Sequence, residues 1–211
     1  MARSIINGTG SAIAIKLTKE EIDGILGEHN SAKWEKDIND YLYLRENLDR
    51  ANFANIYPEY RKVFNRFYKV RLRNEWQTKF FYPLLFQCAK DSRADFAEIL
   101  YALSHGTGQL QSSFASKLAA TVNPHFPIID KNVLSFLDKK LPSSSHSLDN
   151  RIAMVVELHK NMKSAFDRFL NTTTGRHLIQ RFAHVHPKAN ISEMKMLDFV
   201  LWQSGGKKNK R

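Results

Sequence analysis

A chain of 211 residues with 43% hydrophobic and 25% charged residues has the composition of an ordinary globular protein and is long enough to bury a sizeable core. Nine Gly and six Pro are too few for a turn-rich all-β fold, and the single Cys88 excludes an intramolecular disulfide and any four-cysteine metal or iron–sulfur site. A formal net charge of +11 and a pI of about 9.7 make a polyanion the expected partner, DNA, RNA and acidic membrane surfaces all being candidates.

Residues 1–16 read as a flexible N-terminal arm. Its Asn7-Gly8-Thr9-Gly10-Ser11 cluster is a turn and lacks the Gly-Lys-Ser/Thr ending of a phosphate loop. One short strand at Ala12–Leu17 is allowed. The segment Met1 to Leu17 is too weakly apolar for a signal peptide. The run Phe80 to Phe86 contains Pro83 and is too short to span a bilayer. No membrane partner is expected. With one cysteine, a reducing compartment is: the cytoplasm in association with the nucleoid, or the nucleus in a eukaryote.

Helical patterns then follow one another. Thr18 with Glu20 and Glu21 is a capping-box start, followed by Ile22, Ile25 and Leu26. Ala32–Leu48 carries Trp34, Ile38, Tyr41 and Leu44 at helical spacing. Pro58 suits the first turn of a helix running to about Arg73. Its apolar face is Tyr60, Val63, Phe64, Phe67 and Val70, and Lys62, Arg66, Lys69 and Arg73 stack on the other face. From Arg61 to Arg73 there are six basic residues and no acid. Such a stripe is either a solvated surface or a face that tracks phosphates.

Further helices are expected over Glu75–Lys90, Arg93–Leu103, Leu110–Val122 and Asp130–Lys139. Ser147 caps a long one reaching about Leu170, and Arg176–His184 and Ser192–Trp202 complete the set. Met194, Leu197 and Leu201 face inward on the last. Gly205–Arg211 reads as a flexible basic tail, leaving one helical domain over residues 17–204. The fold class is all-α.

The most informative stretch is Gly106 to Val133: a glycine turn, a helix, a Pro-bounded extended segment, and an aspartate opening a new helix. Phe126-Pro127-Ile128-Ile129-Asp130-Lys131-Asn132-Val133 resembles the Pro-apolar-apolar-Asp-x-Asn/His-Val run of helix-hairpin-helix DNA glycosylases, the superfamily of MutY-type and endonuclease III-like enzymes. His125 through Val133 is closest to the MutY type. The resemblance implies a two-lobed helical fold with a hairpin segment over 104–139, duplex DNA in the cleft, and base excision by hydrolysis of an N-glycosidic bond. Asp130 then stands where the family's aspartate supports the positive charge that develops on the sugar. A carboxylate stabilises an oxocarbenium-like transition state electrostatically and orients water, once the base has left the stack. Asp130 is also placed to be a simple helix N-cap.

The family's hairpin reads apolar-Pro-Gly-apolar-Gly. Here Ser104-His105-Gly106-Thr107-Gly108 keeps both glycines and loses the apolar partners. Lyase members carry a Schiff-base lysine just after the second glycine, but this chain has Gln109, Leu110 and Gln111 there. No lyase activity is expected through that position. Lys117, the nearest lysine, is expected to face solvent or phosphate. The resemblance makes Gly106, Gly108, Gln109, Ser112, Lys117, His125, Lys131 and Asn132 nucleic-acid contacts, joined by Lys62, Arg66, Lys69 and Arg73. A monovalent cation at the hairpin carbonyls is the one cofactor implied. No metal ligand set is expected, since His184-Val185-His186 has no partner, and the chain is expected to be a monomer. Two alternatives stand beside excision: a non-catalytic nucleic-acid-binding module on the same fold, and a basic interaction protein.

Overall fold

The computed structural model describes residues 12–27, 31–49, 56–70 and 75–208. Thr18 opens α1 (Lys19–Ile25). Its hydroxyl accepts the Glu21 amide at 3.1 Å, and the Glu21 carboxylate accepts the Thr18 amide at 2.9 Å. This reciprocal cap satisfies two amides that the helix leaves unbonded. Next come α2 (Ser31–Glu46) and α3 (Tyr57–Phe67), the latter with Pro58 in its first turn. A π-helical turn at Gln77–Phe81 leads into α4 (Tyr82–Lys90). Then follow α5 (Phe96–Thr107), α6 (Ser112–Val122), α7 (Lys131–Phe136), α8 (Leu148–Leu170), α9 (Thr173–Val185) and α10 (Glu193–Lys208).

The fold is all-α, and the described residues contain no strand. Residues 12–18 form no sheet, but Ile13 and Leu17 are buried, and the Arg168 guanidinium donates to the Ile13 carbonyl at 3.5 Å. The Asn7–Ser11 cluster lies outside the described residues. Among the described residues no helix is long and apolar enough to cross a membrane.

Several helix boundaries differ from the sequence expectation, and those of α3, α5 and α10 have a local reason. Helix α3 stops at Phe67 instead of about Arg73, because Lys69 takes a left-handed conformation (φ 53°) and the Val70 amide turns back to the Asn65 carbonyl at 2.8 Å. Helix α5 begins later and ends later. Asp95 caps it by accepting the Glu98 amide, and it absorbs Gly106 before Gly108 turns the chain at φ 69°. Helix α10 continues to Lys208, where a flexible tail was expected from Gly205. Gly205 is drawn into the helix by packing: a Cβ there would overlap the Asn132 carbonyl, so only glycine lets α10 lie this close to α7.

Helix contacts fall into two groups. Helices α3 and α6 pack on α2, while α4 and α5 pack on α6. The first helix joins the last ones instead: α1 packs on α9 and α10, and α7 lies along α10. Helix α8 touches both groups, through α5 on one side and α9 and α10 on the other. Among the described residues one cluster of buried side chains draws on every helix from α1 to α10. The seam between the two groups is where the pocket opens.

Candidate functional site

The segment between α6 and α7 is an extended strap, since Pro124 and Pro127 resist helix and leave carbonyls without local partners. Side chains from three directions hold it. The Ser192 hydroxyl donates to the Pro124 carbonyl at 2.7 Å, and Ser116 Oγ accepts the Ile129 amide at 2.9 Å. His159 Nε2 lies 3.1 Å from the Pro127 carbonyl, and the His159 ring stacks on Phe96 with centroids 3.8 Å apart. A carbonyl only accepts, so Nε2 carries the proton. Burial pushes the His159 pKa down to about 4, which keeps the ring neutral.

The strap delivers Asp130 to the start of α7. Its Oδ1 accepts the Asn132 amide at 2.8 Å, so the N-cap expected from the sequence is present. Among the described residues no other hydrogen bond engages this half-buried carboxylate. Asp130 lines a pocket of about 430 Å³ on the seam between the helix groups. One wall comes from Asp37 of α2, the end of α3 (Phe67, Tyr68, Lys69) and Lys117 of α6. The other comes from Ile128, the first turn of α7 (Lys131, Asn132, Val133) and one face of α10 (Lys195, Asp198, Phe199, Trp202). Aromatic rings beside a few convergent charges are the usual make-up of a small-molecule or base pocket.

Two buried charges distinguish this pocket. Lys117 is only 9% exposed, and burial depresses its ammonium pKa, with Asp130 opposing the shift. Among the described residues no carboxylate comes within ion-pairing distance of its Nζ. The expectation that Lys117 faces solvent is therefore corrected. Its mid-helix position faces inward because α6 is buried over most of its length, from Ala115 to Thr121. On α10, Lys195 Nζ and Asp198 Oδ2 are 3.1 Å apart, with side chains 2% and 6% exposed. Burial raises the Asp198 pKa against the opposing pull of Lys195 and of the Ile128 backbone amide. Lys195 also sits over the Tyr41 ring at 5.1 Å.

Of the residues singled out from the sequence, Asp130, Lys131, Asn132, Lys117 and Lys69 meet at this pocket. His125 does not: it is exposed and borders a separate depression with Asn171 and Ser192. Gly106, Gly108, Gln109 and Ser112 are away from the pocket lining, at the α5–α6 turn. There Thr107 Oγ1 accepts the Gln109 amide at 3.3 Å, and Ser104 Oγ accepts the Gln111 amide at 3.1 Å. The turn thus consumes two of the amides a phosphate would use, while the α6 N-terminus has no side-chain cap.

The basic stripe of α3 is partly paired, two of its residues with acids of α2 and one with an acid of its own first turn. Arg66 grips Asp40 through two hydrogen bonds of 2.8 and 2.6 Å, Lys69 lies 3.9 Å from Asp37, and Lys62 lies 3.6 Å from Glu59. The stripe has no acid of its own after Glu59, but α2 supplies the acids. Arg73 lies outside the described residues.

Sequence reading missed Lys195 and Asp198, placing only Met194, Leu197 and Leu201 on the inward face of their helix. A signal was present: Lys195, Asp198, Phe199 and Trp202 recur at helical spacing inside an otherwise apolar run, and charges in such a run need a reason. Among the described residues no three His, Cys, Asp or Glu side chains cluster as a metal site. No family model, curated protein or solved structure matches the chain.

Proposed function

We propose that this chain binds duplex DNA and excises a damaged or modified base, the pocket receiving the flipped nucleotide. The observation that carries the reading is Asp130: rigidly capped onto α7, it lines an open pocket walled by aromatic rings and a buried lysine. The resemblance of residues 126–133 to glycosylases supports it independently. In this reading the aromatic rings replace stacking lost on flipping. The Asp130 carboxylate stabilises the sugar's developing positive charge while water adds to C1′ and the base departs with the bonding electrons and a proton. The uncapped α6 N-terminus and Lys131 take backbone phosphates.

Lys117 favours a second reading of the same step. Burial lowers the Lys117 pKa, which eases loss of the proton that an ammonium must give up before it acts as a nucleophile. Its Nζ would add to C1′ in place of water while the base departs with the bonding electrons and takes up a proton from the amine, and ring opening to the sugar hydroxyl would then give an iminium.

The test is a panel of duplexes, each with one damaged or modified base, assayed for abasic sites with and without borohydride. Excision on one substrate, reduced roughly 100-fold or more by Asp130→Asn, is the expected result. A borohydride-trapped adduct lost in Lys117→Gln selects the amine route, and excision without an adduct selects water. Excision unchanged by Asp130→Asn overturns the mechanism. Salt-sensitive DNA binding without excision on any duplex leaves a non-catalytic binding module, and no DNA binding at low salt leaves a basic protein-interaction scaffold.

A further inference from the structure

The lysines of the pocket are not equally occupied. Lys195 pairs with Asp198 at 3.1 Å, and Lys69 lies 3.9 Å from Asp37. Lys131 is exposed, with no ion pair among the described residues. Lys117 is only 9% exposed, lines the pocket from α6, and has no carboxylate within ion-pairing distance among the described residues. Asp130 acts on it from farther off, and Asp130 is itself engaged by the Asn132 amide. An ammonium withdrawn from water without a counter-ion is costly, and an anion entering the pocket offsets that cost.

Two ammoniums without ion pairs, on α6 and α7, therefore share the pocket with one aspartate that lacks a cation of its own. The rings of Phe67, Phe199 and Trp202 line the same space. A ligand that suits both features carries a flat ring and a compact anion. A phosphate monoester brings about −1.5 to −2 charge at pH 7 and three strong acceptor oxygens. It can meet two ammoniums, where a carboxylate or a phosphodiester brings a single charge. We propose that the pocket binds a nucleotide ending in a phosphate monoester, with Lys117 and Lys131 holding the phosphate and the aromatic rings holding the base. The inference rests on reading the pocket as a nucleotide site, and needs no bond to break. It assigns Lys117 to the phosphate, and so goes with the water route of excision.

Calorimetry on the intact chain tests it, with the four deoxynucleoside 5′-monophosphates and their unphosphorylated deoxynucleosides at fixed ionic strength. Each monophosphate should bind about tenfold more tightly than its nucleoside, or better. Lys117→Met should erase that gap. Lys90→Met removes the same charge from an exposed site on α4 and should keep it, which separates the pocket from net charge. Should Lys117→Met fail to fold, Lys117→Gln removes the charge and stays polar, and it should erase the gap too. Duplexes ending in a 5′-phosphate or a 5′-hydroxyl separate two sources of the ligand. A preference for the phosphorylated end points to strand termini, and a preference confined to mononucleotides points to a free nucleotide. Equal binding of phosphorylated and unphosphorylated forms, binding of neither, or a gap that survives loss of the Lys117 charge overturns the proposal. So does a borohydride-trapped adduct on Lys117. A monophosphate preference without excision on any duplex would leave it standing while the excision reading falls. Excision with no such preference would do the reverse.

Discussion

A histidine whose ring must stay neutral ties the geometry of the site to pH. His159 is buried between Phe96 and the Pro127 carbonyl, with its pKa pushed down from 6.5 to about 4 by loss of water. The folded state therefore binds a proton less readily than the unfolded chain does. Its contribution to stability is complete above pH 6.5 and is lost as the pH falls through 4, amounting to about 3 kcal/mol across that window. Carboxylates titrate in part of the same range, so the comparison must be between proteins. His159→Gln keeps a donor for the Pro127 carbonyl and has nothing to protonate. Urea unfolding at pH 7 and pH 4 should show a smaller stability loss in the variant than in the parent, and equal losses would show that the ring is not held neutral. At this scale the sequence was half readable. Asp130 announced itself as both cap and candidate acid, since an aspartate before a helical run has few other uses. Lys117 did not, because a lysine in an Ala- and Ser-rich helix looks solvated until the neighbours that bury it are known.

The close approach of α10 to α7 turns on Gly205. In an exposed helix interior, replacing glycine by alanine adds about 1 kcal/mol of helix stability. Here the new methyl would meet the Asn132 carbonyl, which is backbone and cannot rotate away. Gly205→Ala is therefore expected to destabilise the fold by roughly 1–3 kcal/mol, the usual cost of overpacking. It should also move the first turn of α7, and with it the Asp130 carboxylate, relative to Asp198. A melting temperature that rises in Gly205→Ala would show that α10 does not press on α7. Helix existence was legible throughout, because apolar residues at three- and four-residue spacing announce an amphipathic helix whatever it packs against. The ends of α3, α5 and α10 were not legible, because tertiary partners decide them. Lys69 enters a left-handed turn, Gly106 is drawn into α5, and Gly205 is helical only because α7 lies against it.

For the whole molecule, net charge overstates the surface available to a polyanion. Helix α3 looked from its sequence like a phosphate-tracking rail, yet Arg66 is locked to Asp40, and Lys62 and Lys69 face carboxylates of their own. Periodicity places side chains on a face but cannot say which acids another helix will bring to it. The pocket itself mixes four lysines with three aspartates, so attraction there is local and directional. Lys131 is different: it is exposed at the pocket mouth, and no ion pair neutralises it among the described residues. These arrangements predict different responses to salt. Each lysine or arginine that meets a DNA phosphate releases a condensed counterion, adding about 0.9 to the steepness with which log affinity falls against log salt. Lys131→Ala should weaken duplex binding and make that slope shallower by about one. Arg66→Ala should leave the slope unchanged but lower the melting temperature, because it strands Asp40 in a nearly buried position. Fluorescence anisotropy of a labelled duplex at four or five salt concentrations measures both. The result that would reverse the assignment is a slope altered by Arg66→Ala and untouched by Lys131→Ala, which would put the DNA on α3 and away from the mouth of the pocket.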